Sequence, residues 1–278
     1  MRTRTVASRL FFVVILAILI ALPALFGADR STINADATSS VLTVTENANG
    51  YCYNAAGDPP SQVYPTLQSL IDATAEEAEE LLQLSFDSVH VAQSITLPTN
   101  VPVSLSGTLY FTLTSTDYAI IVPYGAELRL IGVTIDADRG IVDERNGGKL
   151  LFVSGTLRVT ENGSSAYAAM KLGGQADVRG GTVHYTDSET TGFGLLIETE
   201  STVDIHPETT FQVTAPTAIW TKKGTVDVTD GTFTSSGTAL SDSPFGCSLA
   251  LENEPSVHVG DGTFVGPVRS VCWDNALD

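Results

Sequence analysis

The phrase Val-Asp-Val-Thr-Asp-Gly-Thr-Phe at residues 226–233 recurs along the second half of the chain. It returns as Val-His-Val-Gly-Asp-Gly-Thr-Phe at 257–264 and, more loosely, as Leu-Arg-Leu-Ile-Gly-Val-Thr-Ile at 128–135. Each copy is an alternating apolar stretch, a Gly-containing corner and a Thr followed by an apolar residue. We take that last residue as the anchor of its copy. The anchors are Leu109, Ile135, Leu157, Val183, Phe211, Phe233 and Phe264.

Successive anchors are 22 to 31 residues apart, which is the spacing expected when each repeat is one turn of a solenoid. Period-two alternation places Val226, Val228 and Phe233 on one side of the strand, and only a neighbouring coil can cover that side. The alternative is an antiparallel sandwich of short strands, which does not explain why one corner phrase recurs at the same phase. The pattern therefore favours a β-solenoid.

Two further columns follow the same phase. Gly at or near the corner permits backbone angles that a residue with a side chain resists, and only the copy at Thr209-Thr210-Phe211 lacks it. A Thr precedes every anchor and is predicted to point outward. These residues are Thr108, Thr134, Thr156, Thr182, Thr210, Thr232 and Thr263.

The composition excludes some classes of function. The chain has 278 residues, 24 of them Gly, and a formal net charge of −18. That charge argues against nucleic acid as a partner, because phosphate binding needs clustered Lys and Arg. Acidic excess otherwise indicates solubility and names no partner.

Residues 1–37 are predicted to be a signal peptide or a signal anchor. Arg2, Arg4 and Arg9 precede an uncharged stretch that Pro23 interrupts, and Ala35-Asp36-Ala37 offers a small-x-small cleavage site. An uncleaved anchor is the alternative, since the uncharged stretch nearly matches a membrane span. Either way the remainder is predicted to be secreted or displayed at the cell surface, with this segment as its only membrane contact.

An exported chain can form disulfides, and the cysteines are Cys52, Cys247 and Cys272. If residues 241–246 are a loop excursion, Cys247 and Cys272 fall at the same phase of adjacent coils. Adjacent strands lie ~4.8 Å apart, within the reach of a disulfide. We predict this pair and leave Cys52 unpaired.

Residues 38–64 are predicted to hold one strand and a linker, and residues 65–88 a helix. Apolar residues recur at helical spacing from Leu67 to Leu82, whereas Glu76, Glu77, Glu79 and Glu80 indicate a solvated face. Laid across the end of a solenoid, such a helix covers apolar surface and unpaired strand edges. Residues 89–278 are then the parallel β-helix.

The segment Pro-Thr-Leu-Gln-Ser-Leu-Ile-Asp-Ala, followed by Val89-His-Val-Ala-Gln-Ser-Ile-Thr-Leu97 and Gly-Thr-apolar coils, resembles the pectin-lyase-like superfamily. The resemblance covers about residues 62–278 and implies an all-β, right-handed parallel β-helix of about seven coils with an N-terminal capping helix. Enzymes and non-enzymes share these features, so fold is implied more strongly than function.

Catalytic motifs are not recognisable. The Asn-Thr-Asp, Asp-Asp and Gly-His-Gly segments of the pectin-hydrolysing members are missing from this sequence. Asp136 and Asp138 share a face and could act as acid and base in glycoside cleavage, or could end a strand at a turn. The four histidines lie one to a coil without metal-ligand spacing. We assign no catalytic residue.

Counting back from the anchors places Asp177, Asp204 and Asp227 at matching outward positions, with Arg179 on the face of Asp177. Lyases of the superfamily that this chain resembles hold Ca²⁺ with aspartates on neighbouring coils. The resemblance therefore implies a candidate Ca²⁺ site here, although a solvated acidic stripe is the alternative because Ca²⁺ needs six to eight oxygens.

The leading hypothesis is an exported, non-enzymatic surface or matrix module that is adhesive or contacts carbohydrate, with extracellular polysaccharide or a cell-surface component as partner. The alternative is a polysaccharide lyase or glycoside hydrolase. An enzyme is expected to show a cleft over clustered carboxylates, and a structural module is not.

Overall fold

The computed structural model describes residues 41–55, 60, 62–115, 117–161, 168–187, 192–198, 200–237, 246–267 and 269–274. All of them belong to one compact unit, Ala37–Asp278. The predicted signal segment, residues 1–37, lies outside the described residues. Within the described residues, no helix is both long enough and apolar enough to cross a membrane.

The larger sheet has 14 strands. It starts with an antiparallel hairpin, β1 (Val41–Asn47) and β2 (Gly50–Ala55), and continues in parallel from β1 to β3 (Leu82–Val91), β5 (Val103–Phe111), β7 (Glu127–Ala137) and β9 (Lys149–Glu161). After β9 it divides into two arms. The first arm is β11 (Gln175–Val178), β14 (Thr202–Ile205), β17 (Thr225–Val228) and β20 (Ser256–Val259). The second is β12 (Gly181–Asp187), β15 (Phe211–Ala215), β18 (Thr232–Ser235) and β21 (Thr263–Val265).

The smaller sheet has eight strands, all parallel. They are β4 (Ile95–Thr96), β6 (Ile120–Val122), β8 (Val142–Glu144), β10 (Ala168–Leu172), β13 (Phe193–Ile197), β16 (Thr217–Thr221), β19 (Cys247–Glu252) and β22 (Arg269–Asp274). We call the leading halves of β3, β5, β7 and β9, continued by the first arm, the first face. Their trailing halves, continued by the second arm, form the second face, and the smaller sheet is the third face.

The chain forms one strand on each of the three faces in turn, and each new circuit adds the next strand to every sheet. From β3 onward each circuit contributes one strand to the third face, which has eight parallel strands among the described residues. The result is an all-β architecture of stacked parallel strands, as in a β-solenoid, and the sandwich alternative is excluded. The first circuit begins at Leu82, before the expected residue 89.

The inward column confirms six of the seven anchors. Strand register places Leu109, Ile135, Leu157 and Val183 at one level of successive strands. The same column continues through Val213 to Phe233 and Phe264. The prediction of Phe211 at this level was wrong by two residues. Phe211 lies opposite the corner residue Gly181 instead.

The error has a physical cause. The copy that lacks a corner Gly has Phe211 at the corner, and its ring packs edge-on between Phe152 and Phe233, with centroids 6.2 and 6.0 Å away. Phe211 is therefore buried without being the anchor. The outward Thr column changes with it, because Gln212 rather than Thr210 lies between Thr182 and Thr232.

The corner glycines bring adjacent circuits into close contact. Gly155 has φ +133°, and a Cβ built on it would lie 2.1 Å from the Val133 carbonyl oxygen of the preceding circuit. Gly107 makes the same approach to the carbonyl oxygen of Phe86. Gly132 also has a positive φ, +62°, but a Cβ there meets nothing within 4 Å. Some corners thus need Gly for space as well as for conformation.

In the described part of the chain, the helix α1 (Leu67–Glu77) packs against β2, β3 and β4. Thr66 caps it, because its hydroxyl accepts from the Ser69 N–H and the Ser69 hydroxyl accepts from the Thr66 N–H. The buried side of the helix is Leu67, Leu70, Ile71, Thr74 and Ala75. The helix ends before Glu79 and Glu80, which were expected to continue its solvated face.

The third face carries apolar residues on both of its surfaces. Its inward side chains join the main core, while Ala168, Phe193 and Leu196 form a second cluster with Trp220 on the outside. The Lys222 ammonium lies 5.2 Å from the centre of the Trp220 ring. Strict inside-outside alternation therefore does not hold on this face.

The predicted disulfide between Cys247 and Cys272 is present, with Cα atoms 6.0 Å apart. The two cysteines do not fall at the same phase, as was predicted, because Cys272 pairs in register with Ala250 and Cys247 with Arg269. Residues 241–245 of the predicted loop excursion lie outside the described residues. Cys52 is buried and unpaired. A disulfide is consistent with an extracytoplasmic protein.

A matched pair of corner substitutions tests the packing of circuits. We expect Gly132→Ala to lower the free energy of unfolding by about 1 kcal/mol, the cost of a left-handed backbone alone. Gly155→Ala adds a collision with Val133 and is expected to cost about 3 kcal/mol. Urea unfolding measures both values. Equal costs for the two variants would contradict close contact at Gly155.

Candidate functional site

The three predicted carboxylates do stack on the first face. Asp177 on β11 pairs in register with Asp204 on β14, which pairs with Asp227 on β17. The residues on either side of each Asp are buried, and the Asp side chains are partly exposed, as alternation requires. His258 on β20 continues the column beyond Asp227. We call Asp177, Asp204 and Asp227 the carboxylate column.

The Arg179 guanidinium already pairs with Asp177 at the start of the carboxylate column. The Arg179 guanidinium donates to Asp177 Oδ2 from Nε at 3.1 Å and from Nη2 at 2.9 Å. These bonds raise the pKa of Arg179, against the opposing effect of burial. His206 Nε2 lies 3.3 Å from the other Asp177 oxygen. Arg179 thus engages Oδ2 of Asp177, whereas Oδ1 is buried and has no hydrogen-bond partner among the described residues.

The end of the column is also paired. His258 Nδ1 lies 3.1 Å from Asp227 Oδ1, with both side chains substantially exposed. Asp204, between the two paired aspartates, makes no ion pair or side-chain hydrogen bond with the described part of the chain. Adjacent strands bring it to ~4.8 Å from each neighbour along the column. Asp204 is therefore the carboxylate that a cation would reach first.

No three His, Cys, Asp or Glu side chains among the residues described come together as a metal-binding group. Ca²⁺ needs six to eight oxygen ligands. Calcium binding by Asp177, Asp204 and Asp227 stays a prediction, and it depends on Asp204 because its neighbours are engaged.

Asp136 and Asp138 have separate partners. Asp136 Oδ1 accepts from Arg158 Nη1 at 2.7 Å, across adjacent strands of the second face. Asp138 Oδ1 accepts from the Leu113 N–H at 3.0 Å and so ties the end of β7 to the preceding circuit. Both contacts are structural, which agrees with the turn interpretation of Asp138.

The second face presents two outward columns side by side. The first is Thr108, Thr134, Thr156, Thr182, Gln212, Thr232 and Thr263. The second runs through His90, Tyr110, Asp136, Arg158, His184, Thr214, Thr234 and Val265. His90 and Tyr110 stack with ring centres 4.9 Å apart. We call the first column the threonine ladder.

Glu144 is a residue that motif reading did not identify. It lies in an inward column of the third face between Val122 and Leu172, and 1% of it is exposed. Its Oε2 accepts from the Gly174 N–H at 3.3 Å, while Oε1 is buried with no partner among the described residues. Burial raises the pKa of Glu144 to about 8, although N–H groups of Gly174, Gln175 and Gly173 act to lower it.

A signal for Glu144 was present in the sequence. Alternation in Val142-Asp143-Glu144 points the first and third residues to the same side, so an inward Val142 requires an inward Glu144. Glu144 binds backbone N–H groups at the corner where the chain leaves the third face. Because its side chain is buried, Glu144 stabilises the fold at this corner and does not face a ligand.

Two clefts in the described part of the chain lie away from the carboxylate column. The larger, about 340 Å³, is lined by residues of β1, β2, α1 and β3, and the smaller, about 140 Å³, by residues 65–68 and 91–95 with Tyr51. Both lie at the end of the stack where the helix packs.

Comparison with known proteins gave no match to a protein family, to a curated protein or to a solved structure.

Substitution at the centre of the carboxylate column tests the Ca²⁺ prediction. Asp204→Asn should slightly raise the melting temperature without Ca²⁺, because it removes repulsion from Asp177 and Asp227. In wild type, millimolar Ca²⁺ should raise the melting temperature, and Asp204→Asn should abolish most of that rise. Asp136→Asn, on the second face, is the matched control, and its melting temperature should still rise in Ca²⁺. An unchanged wild-type melt in Ca²⁺ would show that the column is ordinary surface.

Burial of Glu144 predicts a pH-dependent stability. Its folded pKa of about 8 exceeds the unfolded value of 4.5, so its contribution is full below pH 4.5 and is lost as the pH rises through 8. Between these values the slope reaches at most about −1.4 kcal/mol per pH unit. Glu144→Gln, which cannot ionise, should flatten the slope, whereas Glu254→Gln at an exposed turn should not. Urea unfolding at about pH 5 and about pH 9 measures the difference. Identical slopes in wild type and Glu144→Gln would refute the assignment.

Proposed function

We propose that this chain is an exported, non-enzymatic, right-handed parallel β-helix of the pectin-lyase-like type that contacts polysaccharide at a surface or in a matrix. The stacked parallel strands support the β-helix. Right-handedness follows from the strong preference of parallel crossover connections for that hand. In this proposal α1 covers the first end of the stack, where strand edges and apolar side chains need protection.

The observation that carries the proposal is the threonine ladder. Six Thr hydroxyls and the Gln212 amide follow one another on neighbouring strands, spaced by ~4.8 Å. Each hydroxyl both donates and accepts hydrogen bonds. A regular row of such groups suits a ligand that itself repeats hydroxyls along a chain, as a polysaccharide does. The stacked His90 and Tyr110 rings lie at one end of the same face.

The pairing of carboxylates supports a binding role over an enzymatic one. Acid-base catalysis needs a carboxyl that can exchange protons with a substrate. Asp177, Asp136 and Asp138 instead each accept a hydrogen bond from the chain itself. The net charge of −18 favours neutral over polyanionic sugars, because a polyanion is repelled.

Export is part of the proposal. Residues 1–37 would direct the chain out of the cytoplasm and would be its membrane contact, if retained. The disulfide between Cys247 and Cys272 supports an oxidising compartment. A cell-surface glycan or an extracellular polysaccharide is then the partner within reach.

A polysaccharide lyase or glycoside hydrolase is the second candidate. One observation favours it: Arg179, which directly follows β11, hydrogen-bonds Asp177, and Asp177 is the strand neighbour of Asp204. Lysis of an acidic sugar would need such a combination. Neither the larger nor the smaller cleft is lined by Arg179, Asp177 or Asp204.

A glycan array of neutral and acidic polysaccharides, read with and without Ca²⁺, tests both candidates. We expect retention of a neutral polysaccharide without release of new sugar ends. Thr156→Val with Thr182→Val removes two hydroxyls at the centre of the threonine ladder and should weaken retention. Thr202→Val with Thr225→Val, exposed threonines of the first face, is the matched control and should not. Release of unsaturated or reducing sugar ends would favour the lyase or hydrolase candidate. Equal retention of the polysaccharide by both double variants would exclude the threonine ladder as its binding site.

A further inference from the structure

The last circuit, formed by β20, β21 and β22, leaves the apolar core open at one end of the stack. Its inward residues continue columns that are almost fully buried one circuit earlier, at Val226, Val228, Phe233 and Leu249. The residues that follow in these columns are Val257, Val259, Phe264 and Val271. Val259 is 39% exposed and Val271 is 50% exposed, although both are in register with core residues. The core therefore reaches the surface here.

The same end carries unpaired strand edges. Each of β20, β21 and β22 pairs with one strand, the one that precedes it on its face. Backbone bonds of this circuit run back to the preceding circuit, as from the Thr263 N–H to the Gly231 oxygen. On the other side the three strands present N–H and C=O groups that have no strand partner among the described residues. Such edges are templates for pairing with another chain.

Side chains close the opposite end of the stack. On the third face, Gln68 of α1 bonds both backbone groups of Thr96, donating to its carbonyl at 2.9 Å and accepting from its N–H at 2.6 Å. On the second face, Glu46 accepts from the His90 N–H at 2.8 Å and the Tyr51 hydroxyl donates to the His90 carbonyl at 2.7 Å. These edge groups are satisfied, so this end does not offer them to the open end of another copy.

Two open ends complement each other by symmetry. The strands of one circuit all run in the same sense around the stack. A copy turned end to end by a two-fold rotation runs in the opposite sense, so every edge meets its counterpart antiparallel, a geometry that forms backbone hydrogen bonds. With the axis through the third face, the six residues of β22 lie against β22 of the second copy. The four residues of β20 then lie against the three of β21.

Composition and size also suit a second copy. Natural proteins protect exposed edges with Lys, Pro or inward charges, and neither Ser256–Val259 nor Thr263–Val265 contains any of these. The disulfide between Cys247 and Cys272 ties β22 to β19, which holds the terminal strand in place before association. The circuit covers residues 256–274, close to the roughly 20 residues that one side of a stable interface contributes.

We propose that the chain forms a two-fold symmetric dimer through this open end, with β20, β21 and β22 of one copy against the same three strands of the other. Assembly stops at two copies, because the closed end does not accept an open one. The inference goes beyond polysaccharide contact and does not depend on it, since the interface is an end of the stack and the threonine ladder lies along its second face.

Sedimentation velocity of the full chain over a range of concentrations tests the dimer. We expect the mass to double with concentration and to rise no further. Val259→Lys with Val271→Lys places charge on the open core and should raise the dimer Kd about tenfold or more. Val41→Lys with Val63→Lys is the matched control, because these valines are 43% and 46% exposed in and beside the hairpin at the closed end. It should leave the Kd unchanged.

Hydrogen exchange tests the same interface without a substitution, and it decides the question if the lysine variant does not fold. Amides of β20, β21 and β22 should exchange more slowly at concentrations that give the dimer, and amides of β1 and β2 should not change. A monomer at every concentration would overturn the proposal, and protection of the last circuit in that monomer would mean that residues outside the described ones cover the edge. Species larger than the dimer, or a dimer that persists equally in both double variants, would also overturn it.

Discussion

Burial between neighbouring circuits is the constraint on which the structure depends. A single circuit of three short strands has one apolar side and nothing of its own to pack against it. Stacking covers that side, and parallel register aligns Leu109, Ile135, Leu157, Val183, Val213 and Phe233 in one fully buried column. Each circuit is therefore stable only because of the next one. The two ends are exceptions, and α1 packs its apolar side at the end that begins with β3.

Register also determines what the surface can do. Residues more than 20 positions apart in sequence become neighbours at strand spacing, so one side chain repeated per circuit makes a continuous column. The threonine ladder and the carboxylate column arise in this way on two different faces. Their chemistry differs, because the hydroxyls of the ladder are neutral while the carboxylates require compensation. Arg179 supplies that compensation at Asp177, and the His258 ring contacts Asp227 at the other end of the carboxylate column, which leaves Asp204 between them.

Corners are where the repeating pattern is interrupted. The backbone turns there, its polar groups lose strand partners, and circuits approach most closely. Gly155 allows the approach, and Glu144 accepts from the Gly174 N–H that faces the core. The cost of burying that carboxyl appears as its raised pKa. At the helix end of the stack, several elements meet imperfectly and leave the larger cleft between them.

Much of this architecture was accessible from the sequence. Alternation and the recurring corner phrase determined the strand class, the inward and outward sides, the stacking of Asp177, Asp204 and Asp227, and the pairing of Cys247 with Cys272. These are properties of local period and spacing, which a single chain displays directly. The sequence also contained the cue for Glu144 in its alternation with Val142.

Tertiary structure alone decided the rest. It selected Val213 over Phe211 as the anchor, because the Phe211 ring packs between Phe152 and Phe233, and that space exists only after circuits stack. It paired Asp177 with His206, and it offset the two bonded cysteines in register. It assembled the larger cleft from four elements. Each of these depends on distances between segments far apart in the chain, and local period contains no information about such distances.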